Sequence, residues 1–389
     1  MHPRLQAFFI SLAAFGFLVV LLFLVLFTAP ERKITNPPPL ATSTVTQSAS
    51  VAATVPQATT AAPKPADTAT TTKKIVVQPK KQPALPPPPE KPATEIERVK
   101  NAYDTPPESF ETVNVATRAA LVNILCMPSR GTLNPISGSG VIIDSRGVIL
   151  TNAHVAQFVL LSQSRDVDIT CMVRTGSPAT PLWKADVLYI PPAWVNEHVQ
   201  EINQSNAMGT GEHDYALLSI IRNIDGSPVT TPLPYLQPDV RNGIGFENDQ
   251  VLAAAYPAEF VGGITAQNNL YPVSSITSIK QLLTFGSGSV DAFSIGGVIE
   301  AQGGSSGGAV VNAWRRLLGI ISITSAGATT AERDLRAVSL GYIDSDLKIQ
   351  TGKNLAEYLA TDPLTGAANF AQDIAPSLLK KYLEVLTRH

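Results

Sequence analysis

The chain has 389 residues, of which 44% are hydrophobic and 15% charged, and its formal net charge at pH 7 is −2. This near-neutral balance, with no dense cluster of Lys or Arg, argues against nucleic acid as a partner. The length allows two or three domains, but the composition of the first quarter differs from that of the rest and excludes it from the folded part.

Residues 1–29 predict a membrane anchor. The segment from Phe8 to Ala29 carries no charge and, at ~1.5 Å per residue, is long enough as a helix to cross a hydrocarbon core of ~30 Å. A cleaved signal peptide is the alternative. Bulky Phe27 and the following Pro30 disfavour a cleavage site there. We therefore expect a single-pass transmembrane helix that attaches the protein to the cell membrane.

Residues 30–95 predict a disordered linker. Fourteen prolines and no aromatic residue lie between Pro30 and Pro92, so the segment cannot bury enough apolar surface to offset its chain entropy. We expect an extended tether. A solvated spacer is favoured over a docking site for a proline-binding domain.

The folded part begins with a helix and continues with short strands. Ser109 to Ala120 has helical spacing, with Ser109 as the cap. Six apolar or alternating segments follow, separated by turn residues. They are Ala120–Cys126, Gly140–Asp144, Val148–Asn152, Val167–Arg174, Lys184–Ile190 and Tyr215–Ile220. Six strands of this length suit one small closed barrel.

A second series of six strands predicts a second barrel. Its members are Val251–Tyr256, Pro272–Ile279, Asp291–Ile299, Gly308–Asn312, Arg316–Ser325 and Ala337–Ile343. Two helices are predicted at the end of the chain, over Asn354–Leu359 and Pro376–Thr387.

An insertion precedes the last strand of the first series. It runs from Pro191 to Gly211, contains Trp194 and His198, and is followed by His213. Histidines can bind a metal, but no cysteine or carboxylate cluster accompanies these at ligand spacing. We expect a loop beside a cleft, and no metal site.

The segment Gly304–Ala309 places a serine, Ser306, in a glycine-rich turn. A serine hydroxyl is a weak nucleophile unless a histidine base and a carboxylate activate it. His154 follows an apolar run within Thr151–Val155, and Asp214 precedes another within His213–Leu218. The three residues are candidates for one catalytic site.

These three segments resemble the signatures of trypsin-like serine proteases, and in particular those of the bacterial HtrA/Deg branch. The chain order His, Asp, Ser is also that of the chymotrypsin arrangement. The resemblance implies an all-β fold of two six-stranded Greek-key barrels with short flanking helices. The protease domain would span residues 105–350, with barrels over about 115–225 and 245–345, and a helical extension would cover residues 351–389. Because 83 residues follow Ser306, we expect no PDZ domain.

The resemblance also implies a role for each site residue. Ser306 would be the nucleophile, His154 the general base and Asp214 the group that orients His154. The backbone N–H groups of Gly304 and Ser306 would form the oxyanion hole. The alternative is a simple glycine-rich turn, of the kind that Gly286–Ser289 also provides.

Substrate-binding residues are implied with less support. Glu300 lies six positions before Ser306, where trypsin carries the acid that binds a basic side chain, so that cleavage after Lys or Arg is one expectation and a solvated Glu300 the other. By position, Thr324 and Ser325 would border the substrate pocket. Ser305 stands where trypsin has an aspartate, so activation by a new N-terminus is not expected.

Cys126 and Cys171 are the two cysteines of the chain. In the strand order of the HtrA branch they would lie in the first and fourth strands of the first barrel, which are neighbours. A disulfide is the resulting expectation, and two buried reduced thiols are the alternative.

The sequence therefore predicts a membrane-anchored serine endopeptidase without a cofactor. Its substrates would be peptides or unfolded proteins outside the membrane. Two alternatives stay open: an inactive trypsin-like domain that serves as a surface-binding module, and an esterase that uses the same three residues.

Overall fold

The computed structural model describes residues 96–129, 133–202, 204, 210–230, 232–286 and 288–387. The predicted anchor over residues 1–29 and the predicted linker over residues 30–95 lie outside these ranges. Within them, no helix combines the length and the apolar character that a membrane crossing requires.

The first helix of the described part, α1, spans Phe110–Ala120. The Ser109 hydroxyl caps it by accepting a hydrogen bond from the backbone N–H of Thr112 at 3.3 Å, which satisfies a donor that the helix itself cannot use. The prediction of a helix capped by Ser109 is confirmed. Val113, Thr117 and Ala120 form its buried face.

Six antiparallel strands close the first barrel, as predicted. They are β1 (Leu121–Pro128), β2 (Ile136–Asp144), β3 (Val148–Thr151), β4 (Ile169–Thr175), β5 (Thr180–Tyr189) and β6 (Ala216–Asn223). Around the barrel their order is β1-β2-β3-β6-β5-β4. Its interior is filled by aliphatic side chains such as Ile124, Ile149 and Leu218, each fully buried.

A short helix, α2 (Ala153–Leu161), leaves the end of β3. Except for His154, all its residues are buried. Such a helix has no polar face, and the 3.6-residue period that identifies helices is therefore missing from its sequence. The prediction included no helix here.

The insertion between β5 and β6 differs from the expected loop beside a cleft. It contains helix α3 (Pro192–His198) and a 3₁₀ turn over Val199–Glu201. Trp194, Val195 and Val199 are buried in the core of the first barrel, so hydrophobic packing fixes this part of the insertion. Residue 203 and residues 205–209 lie outside the described ranges.

The second half of the molecule is an open sheet of eight strands. They are β7 (Gln237–Pro238), β8 (Gln250–Ala255), β9 (Val273–Ser278), β10 (Gln281–Leu283), β11 (Ala292–Gly296), β12 (Ala309–Val311), β13 (Arg316–Thr324) and β14 (Leu335–Ser339), with helix α4 (Gly263–Asn268) between β8 and β9. The order is β10-β11-β14-β13-β12-β8-β9, and β7 pairs with β13.

This sheet corrects the prediction of a second closed six-stranded barrel. No backbone ladder joins the edge strands among the described residues. Instead, the Thr277 hydroxyl of β9 donates a hydrogen bond to the Ile295 carbonyl of β11 at 3.0 Å. A side chain thus bridges a gap that a closed barrel would fill with backbone hydrogen bonds.

In the described residues after β14 there are four helices: α5 (Leu340–Thr351), α6 (Leu355–Leu359), α7 (Pro363–Asp373) and α8 (Ala375–Leu386). The predicted strand over Ala337–Ile343 is wrong beyond Ser339. The Ser339 hydroxyl accepts a hydrogen bond from the Tyr342 N–H at 3.0 Å and so starts α5. At the far end, Leu378, Tyr382 and Val385 of α8 pack against the first barrel.

Cys126 and Cys171 lie directly opposite each other on β1 and β4. They form a disulfide bond with an S–S distance of 2.02 Å. The bond joins the two strands at which the first barrel closes.

The barrel and the open sheet share one hydrophobic cluster. Leu150 of β3 and Leu217 of β6 pack in the same cluster as Ala254, Ala309 and Ile320 of the open sheet. Because the chain segments that carry the candidate site residues begin or end at these strands, the shared core sets their relative positions.

Candidate active site

His154 and Asp214 are brought together from positions 60 residues apart. The His154 Nδ1 atom lies 2.8 Å from Asp214 Oδ2. The His154 backbone N–H also donates a hydrogen bond to Asp214 Oδ1 at 3.0 Å. The imidazole side chain is 32% exposed and the carboxylate 8% exposed, so the base can be reached from solvent while the acid is covered.

The local fold explains this contact. His154 lies in the first turn of α2, where backbone N–H groups have no partner within the helix and a negative charge is favoured. Asp214 supplies that charge from the loop before β6. Asn152, the residue before the helix, donates a side-chain hydrogen bond to the Asp214 carbonyl at 2.8 Å, which holds the two segments side by side.

A third residue, Ser322 of β13, completes the surroundings of the carboxylate. Its hydroxyl donates a hydrogen bond to Asp214 Oδ2 at 2.6 Å. The carboxylate therefore accepts from Ser322, from the His154 backbone and from the imidazole when Nδ1 carries the proton. Sequence reasoning did not identify Ser322, which lies within the predicted strand Arg316–Ser325 and in no motif.

His154 and Asp214 shift each other's pKa. Burial opposes the charged form of His154, but the neighbouring Asp214 carboxylate outweighs it, and the net result is a raised pKa. Burial likewise opposes the charged form of Asp214, but the charge of His154 and the hydrogen bonds from His154 and Ser322 lower its pKa. The ionised pair is therefore favoured, and Asp214 stays a carboxylate in the range where His154 loses its proton.

The two pKa shifts determine how the free energy of unfolding depends on pH. The contribution of Asp214 to the free energy of unfolding is present above its ordinary pKa of 3.8 and is lost as the pH falls through the lowered value. The contribution of His154 is present below its ordinary pKa of 6.5 and is lost as the pH rises through the raised value. Both contributions are present together between these two ordinary values.

Ser306 is held by Ser139, a fully buried residue of β2. The Ser139 backbone N–H donates a hydrogen bond to the Ser306 carbonyl at 2.7 Å, and its hydroxyl donates to the Gly304 carbonyl at 2.8 Å. The Ser139 carbonyl accepts from the Thr151 hydroxyl at 2.7 Å. Because Thr151 precedes His154 by three positions, Ser139 links the serine turn to the segment that carries the imidazole.

The glycine after the serine cannot be replaced without moving this linkage. Gly307 has a φ angle of 85°, and a Cβ atom there would overlap the Ser139 carbonyl and lie 2.5 Å from the Thr151 hydroxyl. The turn therefore packs directly on the first barrel.

Gly304 and Ser306 have backbone N–H groups that donate no hydrogen bond within the described part of the chain. The hydrogen bonds of Gly303 fix the direction of the Gly304 N–H group. The Gly303 carbonyl accepts hydrogen bonds from Ala258 at 2.8 Å and Glu259 at 3.1 Å. In a planar trans peptide the N–H points away from the preceding carbonyl, so these two bonds aim the Gly304 N–H to the opposite side.

Glu259 and Arg333 tie this peptide to two other loops. The Glu259 carboxylate accepts from the Gly303 N–H at 2.8 Å and pairs with both terminal nitrogens of Arg333 at 2.8 and 2.9 Å. Arg333 also donates to the Ala301 carbonyl at 3.0 Å. Neither residue stands in a sequence motif, so sequence reasoning did not identify them.

The hydroxyl of Ser306 and the imidazole of His154 share no hydrogen bond among the described residues. Ser139 connects the two segments, because it bonds to the Ser306 carbonyl and to the Thr151 hydroxyl. Asp214 holds the imidazole itself. Ser305, the neighbour of the candidate nucleophile, is 1% exposed, and its hydroxyl has no partner in this part of the structure.

Glu300 is fully buried, which differs from the solvated alternative and also means that it lines no open pocket in this conformation. Neither of its carboxylate oxygens has a hydrogen-bond partner among the described residues. Burial raises the pKa of Glu300 to about 6. Thr324 and Ser325 lie at the end of β13, where Ser325 accepts a hydrogen bond from the Asp334 N–H at 2.7 Å.

Metal-ligand clusters of three or more His, Cys, Asp or Glu side chains are absent from the described ranges. His198 of the insertion pairs with Glu201 at 3.0 Å and stacks on Trp194 with a ring separation of 5.0 Å.

A closed six-stranded β-barrel packed on a second β-sheet, with a His–Asp pair and a serine turn where they meet, defines the architecture of a trypsin-like protease. Residues 138–320 match the family model of the trypsin-like peptidase domain, and His154, Asp214 and Ser306 all lie within that range. The matched region is therefore a trypsin-like peptidase domain, and the protein is a hydrolase of the serine protease class.

The chain is similar to the serine endoprotease from Yersinia pestis, with 21% sequence identity and a TM-score of 0.40 over 64% of this chain and 70% of that one. No sequence among the curated proteins matches the chain.

Proposed function

We propose that the protein is a membrane-anchored serine endopeptidase that hydrolyses peptide bonds of extracytoplasmic proteins through Ser306, His154 and Asp214. The observation that carries this proposal is the imidazole of His154, which is bonded on one side to a covered carboxylate and is open to solvent elsewhere. A histidine held in this way is suited to accept a proton from a neighbouring alcohol.

In the proposed reaction, the Ser306 hydroxyl attacks the carbonyl carbon of the substrate while His154 Nε2 accepts its proton. Asp214 keeps the Nδ1 proton in place and stabilises the imidazolium that forms. The N–H groups of Gly304 and Ser306 would stabilise the negative charge on the carbonyl oxygen. His154 then donates its proton to the leaving amine, and water releases the acyl group from Ser306.

The proposed location rests on two features of the chain. The uncharged segment from Phe8 to Ala29 and the proline-rich residues after it suit an anchor with a tether. The Cys126–Cys171 disulfide suits an oxidising compartment outside the cytosol. Peptides and unfolded proteins are the proposed substrates, because a protease of this class binds an extended chain along a strand edge.

A fluorophosphonate probe tests the chemistry directly, since an activated serine hydroxyl attacks its phosphorus and displaces fluoride, without requiring a known substrate. We expect the full-length protein to be labelled and the Ser306→Ala variant not to be. The labelling rate should rise with pH through a midpoint above the ordinary histidine value of 6.5, because the pKa of His154 is raised and its neutral form is the base.

Other outcomes would favour the two alternatives. A folded wild-type protein that the probe does not label would contradict the proposal and favour an inactive surface-binding module. Labelling that is accompanied by turnover of ester substrates, without turnover of quenched-fluorescence peptides or unfolded casein, would favour an esterase.

A further inference from the structure

Asp346 of helix α5 contacts both residues that flank the proposed catalytic carboxylate. One of its oxygens, Oδ1, lies 3.0 Å from the His213 Nδ1 atom. The other, Oδ2, accepts a hydrogen bond from the Tyr215 hydroxyl at 2.9 Å. His213 and Tyr215 immediately precede and follow Asp214. A single carboxylate, 5% exposed, therefore holds the chain on each side of Asp214.

The backbone between these contacts makes a tight turn. His213 has a φ angle of 56°, a left-handed conformation that is uncommon for residues with a side chain. The Tyr215 N–H closes the turn on the His213 carbonyl at 2.9 Å. In this turn the side chains of His213 and Tyr215 reach Asp346, whereas that of Asp214 reaches His154. A conformation of this kind persists only where the surroundings stabilise it.

Helix α5 supplies the remaining contacts. The Tyr342 hydroxyl accepts a hydrogen bond from the His213 backbone N–H at 3.0 Å. Gln350 donates to Asp346 Oδ2 at 2.6 Å, which orients the carboxylate. Tyr342, Asp346 and Gln350 follow one another along the same helix, so a single rigid element fixes both the turn and the group that holds it.

The charges around His213 all favour its protonated form. The hydrogen bond and charge of Asp346 raise its pKa, and Glu212 of the same loop and Glu197 of α3 add to this effect, against the opposing effect of burial. Tyr342 of α5 is the other titratable group in contact, and burial raises its own pKa well above the ordinary range. The raised pKa therefore widens the pH range in which His213 and Asp346 form an ion pair.

We propose that Asp346 is a positioning residue for Asp214: through His213 and Tyr215, it holds the turn that directs the Asp214 carboxylate to His154. Helix α5, the first of the helices after β14, thereby supports the proposed catalytic apparatus through the residues that flank Asp214. This inference rests on the proposed Ser306 mechanism and extends it to a residue outside the range that matches the family model.

The test compares two carboxylate-to-amide variants of the full-length protein. Asp346→Asn removes the charge that holds His213. Glu201→Gln is the matched control, because Glu201 pairs with His198 at the same distance, 3.0 Å, and shares no hydrogen bond or ion pair with His213, Asp214 or Tyr215 in the described part of the chain. For each variant, kinact and KI of the fluorophosphonate probe are measured separately, and folding is followed by circular dichroism.

We expect Asp346→Asn to lower kinact by roughly tenfold to a hundredfold, as small misplacements of catalytic groups do, with KI unchanged. Glu201→Gln should leave both constants at the wild-type values. The ratio of wild-type to Asp346→Asn kinact should be largest at low pH and should decrease as the pH rises through the raised pKa of His213. The titration of His154 is fitted separately in each protein, because a displaced Asp214 would also change the charge that raises the His154 pKa.

Several results would overturn the proposal. A folded Asp346→Asn variant with wild-type kinact would do so, as would a ratio that is the same at every pH, which a purely structural role predicts. If Asp346→Asn does not fold, His213→Asn decides, because asparagine tolerates the left-handed conformation. A wild-type kinact in that folded variant also rejects the positioning role. Absence of labelling in the wild-type protein would reject the proposed function instead.

Discussion

At the scale of single residues, the surroundings of Asp214 determine what His154 can do. The carboxylate is nearly covered, and an unsatisfied buried charge would be costly. It is satisfied by the His154 backbone at 3.0 Å and by the Ser322 hydroxyl at 2.6 Å. Asp214 Oδ1 thus accepts the bond from the start of α2, while Oδ2 lies against the imidazole and accepts the bond from Ser322. This arrangement fixes the plane of the carboxylate against the imidazole.

Replacement of Ser322 by alanine should therefore weaken the proposed catalysis without removing it. A hydrogen bond to a charged group contributes about 1.5–3 kcal/mol. Since the Asp214 carboxylate keeps its other bonds, we expect kinact of the fluorophosphonate probe to fall about tenfold, equivalent to about 1.4 kcal/mol. The measurement is kinact at a pH above the raised pKa of His154.

Ser219→Ala is the control for this prediction. Ser219 is also fully buried, but its hydroxyl has no hydrogen-bond partner among the described residues. The same atom is removed from the interior without loss of a bond, so kinact should not change. Equal losses in both variants would show that the effect of Ser322→Ala comes from packing and not from the carboxylate.

At the scale of elements, the sequence predicts best where local pattern and tertiary environment agree. The strands of the first barrel alternate or are uniformly apolar, and Ser109 gives α1 a visible start. Helix α2 could not be predicted, because burial on all sides removes its polar face. Helix α5 was not predicted, and its first residues were assigned to a strand, because the apolar residues around Ser339 continue the pattern of a strand.

The sequence likewise predicts some residues of the candidate site and not others. His154, Asp214 and Ser306 stand in short motifs that can be recognised locally. Ser322 lies 108 positions from Asp214, and Asp346 lies 131 positions from Tyr215. Neither pattern nor spacing reveals a contact of that separation in a single sequence, because only the packing of β13 and α5 against the first barrel creates it.

The three loops around the Gly303–Gly304 peptide act together through Arg333. Replacement of Arg333 by alanine removes both bonds to Glu259 and the bonds to the Ala301 and Gly327 carbonyls. We expect kinact to fall about tenfold, less than the roughly hundredfold or greater loss on removal of an oxyanion-hole donor, because the backbone bonds to the Gly303 carbonyl persist. The free energy of unfolding should change by no more than about 1 kcal/mol, since the ion pair is partly exposed.

Arg98→Ala serves as the matched control for Arg333. Arg98 makes the same two-nitrogen contact with Asp249, at 2.8 and 3.0 Å, and that carboxylate also accepts a backbone N–H, from Phe246 at 2.9 Å. The variant should lose similar stability and keep its kinact. A wild-type kinact in folded Arg333→Ala would contradict a role for this ion pair in the geometry of the serine turn.

At the scale of the whole molecule, the first barrel is the platform on which the site is built. It carries His154 on α2 and Asp214 before β6, and it holds the serine turn through Ser139. Its closure depends on the pairing of β1 with β4, where the disulfide lies. The Cys171 sulfur is also 3.4 Å from the Phe158 carbonyl of α2, so the bond lies beneath the helix that carries the imidazole.

Reduction of the disulfide should therefore lower the stability of the folded domain. The bond closes a loop with a sequence separation of 45 residues, and the chain-entropy estimate for such a loop is about 4 kcal/mol. We expect urea unfolding, followed by tryptophan fluorescence, to give a free energy of unfolding lower by about that amount in the presence of dithiothreitol. The Cys126→Ala/Cys171→Ala double variant is the control and should not respond to reductant. If thiol titration shows full reduction while the wild-type midpoint stays unchanged, the cross-link adds nothing to stability, and the closure of the barrel depends on its hydrophobic core alone.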